Sequence, residues 1–323
     1  MAHTFKLSRR IARLRAPVFA TIILTLVGCN NTDSLDPDGS TPAEAVDRGL
    51  QAGVQVAKVD NPSFASASFA GGIPIGTFAQ PTTEFGNRFN GAKQNIAPRL
   101  LRIELAAIKA RGGKVVLMFA GNERYYKEAG HFSLDKWKAR VNRYKGIDFS
   151  SYIDDGTIIG HYMIDEPNDP ANWNGKPVPP SLVEEMAKYS KQLWPNMVTV
   201  VRADPAYFVN GSYQYLDAAW AQYLTRKGSA AGYIAKRVAD AQKAGLGLIV
   251  GLNLLHGGTP NGTTMTASEV ESFGSALLSS SYPCAFISWQ YNSAHLGSSG
   301  MGSAMDALRR KAESRAAKSC RGS

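Results

Sequence analysis

The sequence predicts an α/β fold, a TIM-type (β/α)8 barrel whose first βα unit is irregular or incomplete. Three observations lead there. Strand-like and helix-like segments alternate singly through the part of the chain after residue 50, a length of about 270 residues typical of one such barrel. Several of the strands are near-continuous apolar runs, such as Val115-Val116-Leu117-Met118-Phe119 and Leu248-Ile249-Val250, the composition of parallel strands buried on both faces. Polar or aromatic residues stand repeatedly where those runs end, as they do at the carboxyl ends of barrel strands. No Gly-rich phosphate loop follows the first clear strand, which argues against a nucleotide-binding open sheet.

The first 28 residues are expected to be a processing signal. Lys6, Arg9, Arg10, Arg13 and Arg15 occur there without an acid, and the apolar run Val18 to Val27 follows, a positive n-region and a short h-region. That run is too short for a membrane span of about 20 residues. It ends in Leu26-Val27-Gly28-Cys29, which resembles the bacterial lipobox. The resemblance implies that Cys29 becomes lipid-modified and anchors an exported protein in the cell envelope, at the outer membrane or cell surface. Residues 29–50 read as a flexible tether rich in Asp, Asn, Ser, Pro and Gly. Residues 51–323 then form one barrel domain.

Within the domain, Val54 to Val59 is a candidate short strand, and Ile73 to Phe78 a clearer one. Ala97 to Ala110 reads as a helix burying Leu100, Leu101, Ile103, Leu105 and Ile108, stopped by Gly112-Gly113. Lys114 to Ala120 is a buried strand, and Ser133 an N-cap for a helix to Tyr144. The run from Gly156 to Asn168 is a strand broken by Asp165-Glu166-Pro167, since proline ends the ladder and pushes its predecessor out of helix. Ser181 caps a helix to Leu193, and Met197 to Asp204 repeats the device of strand, acid and proline. A strand at Leu216–Tyr223, a helix at Gly232–Gly245 and a strand at Leu246–Asn253 follow. Ser268 caps a helix at Glu269–Ser279, Cys284–Tyr291 is the last strand, and a helix at Ala304–Ala317 closes the chain. That makes seven clear strands; Val54–Val59 is expected to supply the eighth, which makes the 156–168 strand the fourth.

The formal net charge of +10 falls to +5 once the five cations of the leader are set aside. The remaining excess gathers near the C-terminus, in Arg309, Arg310, Lys311, Arg315, Lys318 and Arg321. A solvated helix face near an anionic membrane accounts for it, and no aromatic-interleaved basic stripe points to nucleic acid. With Cys29 acylated, Cys284 and Cys320 remain as an even pair in an oxidising compartment, which predicts a disulfide. No Cys/His spacing matches a zinc site, and no cofactor is implied. Nothing in the sequence speaks to oligomeric state.

In barrel register the strand ends collect Asn122, Glu123, Asp165, Glu166, Arg202, Asp204, Gln222, Asn253, His256, Trp289, Gln290 and Tyr291, with His161 on the fourth strand itself. Carboxylates and amides bind hydroxyls, and a Trp or Tyr face stacks on the apolar side of a pyranose. A carbohydrate partner is therefore expected. Asp165-Glu166-Pro167 resembles the Asn-Glu-Pro signature of the superfamily of (β/α)8 retaining glycosidases. The resemblance implies Glu166 as acid/base and Asp165 as a sugar-contacting neighbour. Those enzymes carry a second, nucleophilic Glu at the end of the seventh strand, where this chain reads Gly251-Leu252-Asn253. Glu123 or Asp204 could serve instead, across the spacing of a retaining or an inverting pair. The adjacent Asp-Glu pair is also similar to that of hexosaminidases, whose substrate acetamido group replaces the nucleophile. The alternative to a glycoside hydrolase is an anchored barrel that binds a glycan or envelope component without cleaving it.

Overall fold

The computed structural model describes residues 71–322; the expected signal, tether and Val54–Val59 strand lie outside them. Eight parallel strands close into a barrel: β1 (Ile75–Phe78), β2 (Gly91–Gln94), β3 (Lys114–Leu117), β4 (Ile158–Asp165), β5 (Thr199–Arg202), β6 (Ala218–Tyr223), β7 (Gly247–Leu252) and β8 (Ala285–Ser288), with β8 pairing back on β1. The Asp-Glu-Pro strand is the fourth, as expected. Among the described residues the barrel's remaining strand is Gly91–Gln94, whose sequence Gly-Ala-Lys-Gln has no β-branched residue to mark it. Close backbone approach explains the glycines here: a Cβ on Gly76 of β1 would lie within bonding distance of the Gly91 carbonyl oxygen.

Helices fill most connections: α1 (Leu101–Ala110), α2 (Leu134–Asn142), α3 (Ser150–Asp154), α4 (Pro180–Leu193), α5 (Ala230–Lys243), α6 (Ala267–Leu278), α7 (Ser293–Leu296) and α8 (Met301–Glu313). The first crossover is irregular, since β1 reaches β2 through one 3-10 turn at Thr82–Glu84. Between β5 and β6 there is likewise only the 3-10 turn Pro205–Phe208. In α1 the buried face is Leu101, Leu105 and Ile108, at i, i+4 and i+7. Ile103, expected inside, is 66% exposed because it falls on the opposite side of that turn. Two caps also differ from expectation. Pro180 opens α4 at the position where its missing N–H costs nothing, so Ser181 lies within the helix. Thr266, not Ser268, caps α6, in a capping box with Glu269.

The core has two layers. Inside the barrel lie Phe78, Val116, Tyr162, Val200, Trp220, Ile249 and Ile287. Outside, side chains such as Leu105, Trp137, Met163 and Met186 pack strands against helices. The Cys284–Cys320 disulfide is present and joins the start of β8 to the tail beyond α8. The tail lies across the amino end of the barrel, where a Cβ on Gly247 would meet the Cys320 carbonyl oxygen. A cavity of about 520 Å³ opens at that same end, lined by Lys114, Ile158, Val198 and Cys320 among others. The opposite, carboxyl end carries the acids.

Candidate active site

The centre of the carboxyl face is Arg202 at the end of β5. Its register partner on β4 is Asp165, and the β4–β5 register shifts between Tyr162 and Asp165. The shift matters because strand side chains alternate faces: three steps along a regular strand would put Tyr162 and Asp165 on opposite sides. The extra residue restores the parity, so Tyr162 in the barrel interior and Asp165 share a face with Arg202. Arg202 Nη1 binds Asp165 Oδ1, while its Nη2 lies 2.9 Å from Gln222 Oε1 and 3.2 Å from Glu166 Oε1. The surrounding acids hold the guanidinium firmly charged against the cost of its burial.

Glu166 follows on the rim. Its φ of +38° is in the left-handed region, which costs a non-glycine residue about 1–3 kcal/mol. Backbone contacts hold it there. Its N–H donates to the Arg202 carbonyl at 2.8 Å, and its own carbonyl accepts from Asp169 N at 3.0 Å and from Trp173 Nε1 at 3.0 Å. Pro167 supplies the stop. The Glu166 side chain is 43% exposed and so reaches solvent in the mouth.

Glu123 stands beside this pair on the loop after β3. Burial pushes its carboxyl pKa up, and the Asp165 and Glu166 charges add to that, against a lowering hydrogen bond from Lys127 Nζ at 2.8 Å. Tyr126, fully buried nearby, has its hydroxyl pKa raised by burial, then by Glu123 and Asp165.

Other expected residues go elsewhere. Asp204 pairs with Arg237 of α5 and caps the Pro205–Phe208 turn through Ala206 N at 3.1 Å, so its carboxylate is turned to the helical layer. His161 also faces outward. Its Nδ1 lies 2.8 Å from Ser190 Oγ of α4, its ring packs against Phe119 and Trp137, and burial lowers its pKa to about 3. Asn122 caps the turn carrying Glu123, accepting from Arg124 N at 3.0 Å. Asn253 accepts from His256 N at 2.9 Å, and the His256 ring lies 5.4 Å from that of Trp289. Trp289 and Gln290 are joined by a cis peptide, and Tyr291 donates to Glu84 Oε1 at 2.9 Å. Asn253 and Trp289 form a bridge beyond β7 and β8, so this aromatic side of the rim belongs to the same mouth.

Three mouth residues escaped the sequence reading. Tyr162 was hidden inside an apolar strand. Lys93 lies on β2, itself unrecognised, with its Nζ 5.3 Å from the Tyr162 ring centroid and 5.5 Å from that of Phe78. Lys227 sits on the rim after β6, with its Nζ 3.1 Å from the Gln222 carbonyl. The alternation of Gly91-Ala92-Lys93 offered the only signal for Lys93, and it needs the strand to be seen first. Among the described residues no group of three or more His, Cys, Asp or Glu side chains could hold a metal ion.

No protein-family model matches the chain, and no curated protein matches it in sequence. Solved structures do. A candidate glycoside hydrolase from Parabacteroides distasonis matches with a TM-score of 0.51 at 11% identity, over 77% of this chain and 95% of that one. A cellulase solved with an inhibitor matches with a TM-score of 0.50 at 10% identity, over 74% of this chain and 92% of that one. The chain has a glycosidase-like (β/α)8 fold. At such identities the likeness is one of fold and transfers no site residue, so the mouth has to be read from its own geometry.

Proposed function

We propose that the chain is a glycoside hydrolase acting on an oligo- or polysaccharide, with Glu166 and Glu123 as its working carboxyl groups. The observation that carries this reading is the meeting of two differently placed acids in one barrel mouth. Glu123 is half-buried beside two other acids, which favours its protonated form and suits it to donate to a leaving oxygen. Glu166 is open to solvent, fixed in its backbone, and has Arg202 as the partner of its negative charge. It is suited to act as the base or nucleophile of the pair. The proton donor named from sequence thus moves from Glu166 to Glu123, with Glu166 retained in the acid/base machinery. Asp165, bound by Arg202, orients that arginine and borders the sugar. The aromatic rim at Trp289 and His256 supplies a stacking surface for a pyranose.

A second reading has its own support. Arg202 engages both Asp165 and Glu166, and β7 ends at Leu252 with Asn253 beyond it, without a carboxylate. An anchored barrel that binds a glycan without cleaving it fits those two facts. Assay of the full chain on aryl glycosides and polysaccharides, beside Glu166→Gln and Glu123→Gln, separates the readings. Turnover that falls by about 10²-fold or more in each variant supports the hydrolase; glycan binding with no turnover in the native chain supports the binder.

The envelope location is proposed from the lipobox resemblance alone. Cys29→Ser is expected to release the protein from the membrane fraction. Retention of that variant in the membrane would remove the lipid anchor from the account.

A further inference from the structure

The mouth holds more positive charge than its carboxylates use. Arg202 is shared between Asp165 and Glu166, and Lys127 Nζ lies 2.8 Å from Glu123 Oε2. Lys93 is different. Among the described residues no carboxylate lies in salt-bridge contact with it, and its ammonium rests against the rings of Tyr162 and Phe78. Burial outweighs the nearby Asp165 charge and lowers its pKa to about 8, so the charged form would gain from an anionic neighbour. Lys227 stands exposed on the rim, its Nζ 3.1 Å from the Gln222 carbonyl and 5.3 Å from the Tyr233 ring centroid.

A second feature of the same mouth points to an incoming acceptor. Gln222 is 7% exposed and its Oε1 is taken by Arg202, which has only donors to offer. That fixes the amide orientation and leaves Gln222 Nε2 without a partner. Arg202 Nε is also unpartnered. A buried donor left without an acceptor costs about 1–3 kcal/mol. Two such donors beside an unpaired ammonium make a receptor for anionic oxygen.

We infer that the saccharide recognised here is acidic, its anionic oxygens, carboxylate or sulfate, being received by Lys93 with Gln222, and its approach favoured by Lys227. The inference rests on the carbohydrate reading and narrows it to anionic sugars. An ammonium–carboxylate contact desolvated in this way discriminates against a neutral isostere by the strength of a charge-assisted hydrogen bond.

The test is calorimetric titration of the full chain with uronic-acid oligosaccharides, their methyl esters, sulfated oligosaccharides and neutral oligosaccharides. The expected result is affinity for the free acid or the sulfate about tenfold or more above that for the ester or neutral sugar. Preference for the free acid identifies a carboxylate, and preference for the sulfated sugar a sulfate. Lys93→Met, which keeps the hydrocarbon stem on the rings, is expected to abolish that preference. Equal affinity for acid and ester, or a Lys93→Met chain that still prefers the acid, overturns the inference. Cleavage of a neutral glycan with no binding of acidic ones overturns it while the hydrolase reading stands. Failure to bind any saccharide ends both. The comparison of acid with ester needs no variant, so it decides the matter even if Lys93→Met does not fold.

Discussion

At the scale of single residues, the mouth depends on Arg202 because one buried guanidinium satisfies Asp165, Glu166 and Gln222 together. Removing one partner of a buried pair leaves the other charge uncompensated. Arg202→Met is therefore expected to lower stability by about 3 kcal/mol in urea unfolding, well beyond the effect of a surface change; a loss within surface-substitution scatter would show that solvent already carries those charges. Glu123 gives a kinetic prediction. Lys127 opposes the upward pressure on its pKa, so Lys127→Met raises it further. With Glu123 as proton donor, the alkaline limb of the rate profile should then move to higher pH, and a limb that stays put would remove Glu123 from that role. His161 yields a stability prediction of definite sign. Its folded pKa, about 3, lies below the ordinary 6.5. Above pH 6.5 neither state binds the proton; below it only the unfolded state does, and stability falls until about pH 3. His161→Gln should flatten that part of the stability curve.

At the scale of elements, the strands that sequence displayed were those with apolar, β-branched runs, and β2 had none. Gly91 is there because β1 and β2 approach closely, and a Cβ on it would lie 2.8 Å from Pro74 Cβ and 3.0 Å from Ile75 N. That requirement removed one of the four side chains that could have marked the strand. Gly76→Ala is expected to destabilise the chain by about 2 kcal/mol or more, where an ordinary Gly→Ala change at a compatible site stabilises; thermal unfolding reads the sign directly. The same logic bounds what could be seen of the site. Asp165, Glu166 and Arg202 stood at recognisable strand ends, and the structure brings them together. Asp204 stood in an equivalent sequence setting, yet it turns to Arg237 on α5, a partner 33 residues away that no local pattern announces. His161 alternates to the outer face. Lys93 and Tyr162 became visible only once β2 and the β4 register shift were known.

At the scale of the molecule, the two ends of the barrel carry separate duties. The carboxyl end gathers charged groups that resist burial, and the tail crosses the amino end beside its cavity. The Cys284–Cys320 bridge spans 36 residues and pins that tail across the start of β7. Limiting the unfolded chain by a loop of that length stabilises by about 3–4 kcal/mol in the chain-entropy treatment. Both sulfurs belong to the interior cluster that also contains Trp220 and Tyr162, so the bridge also seals the packing beneath the mouth. Paired Cys284→Ala and Cys320→Ala substitutions should lower the unfolding midpoint substantially. Below that midpoint, affinity for the saccharide should change little, because Arg202, Glu166 and Lys93 are held by the opposite ends of β5, β4 and β2. Loss of binding in a still-folded double variant would mean that the tail and the mouth are mechanically coupled through the barrel core, and the division between a stabilising end and a working end would fail.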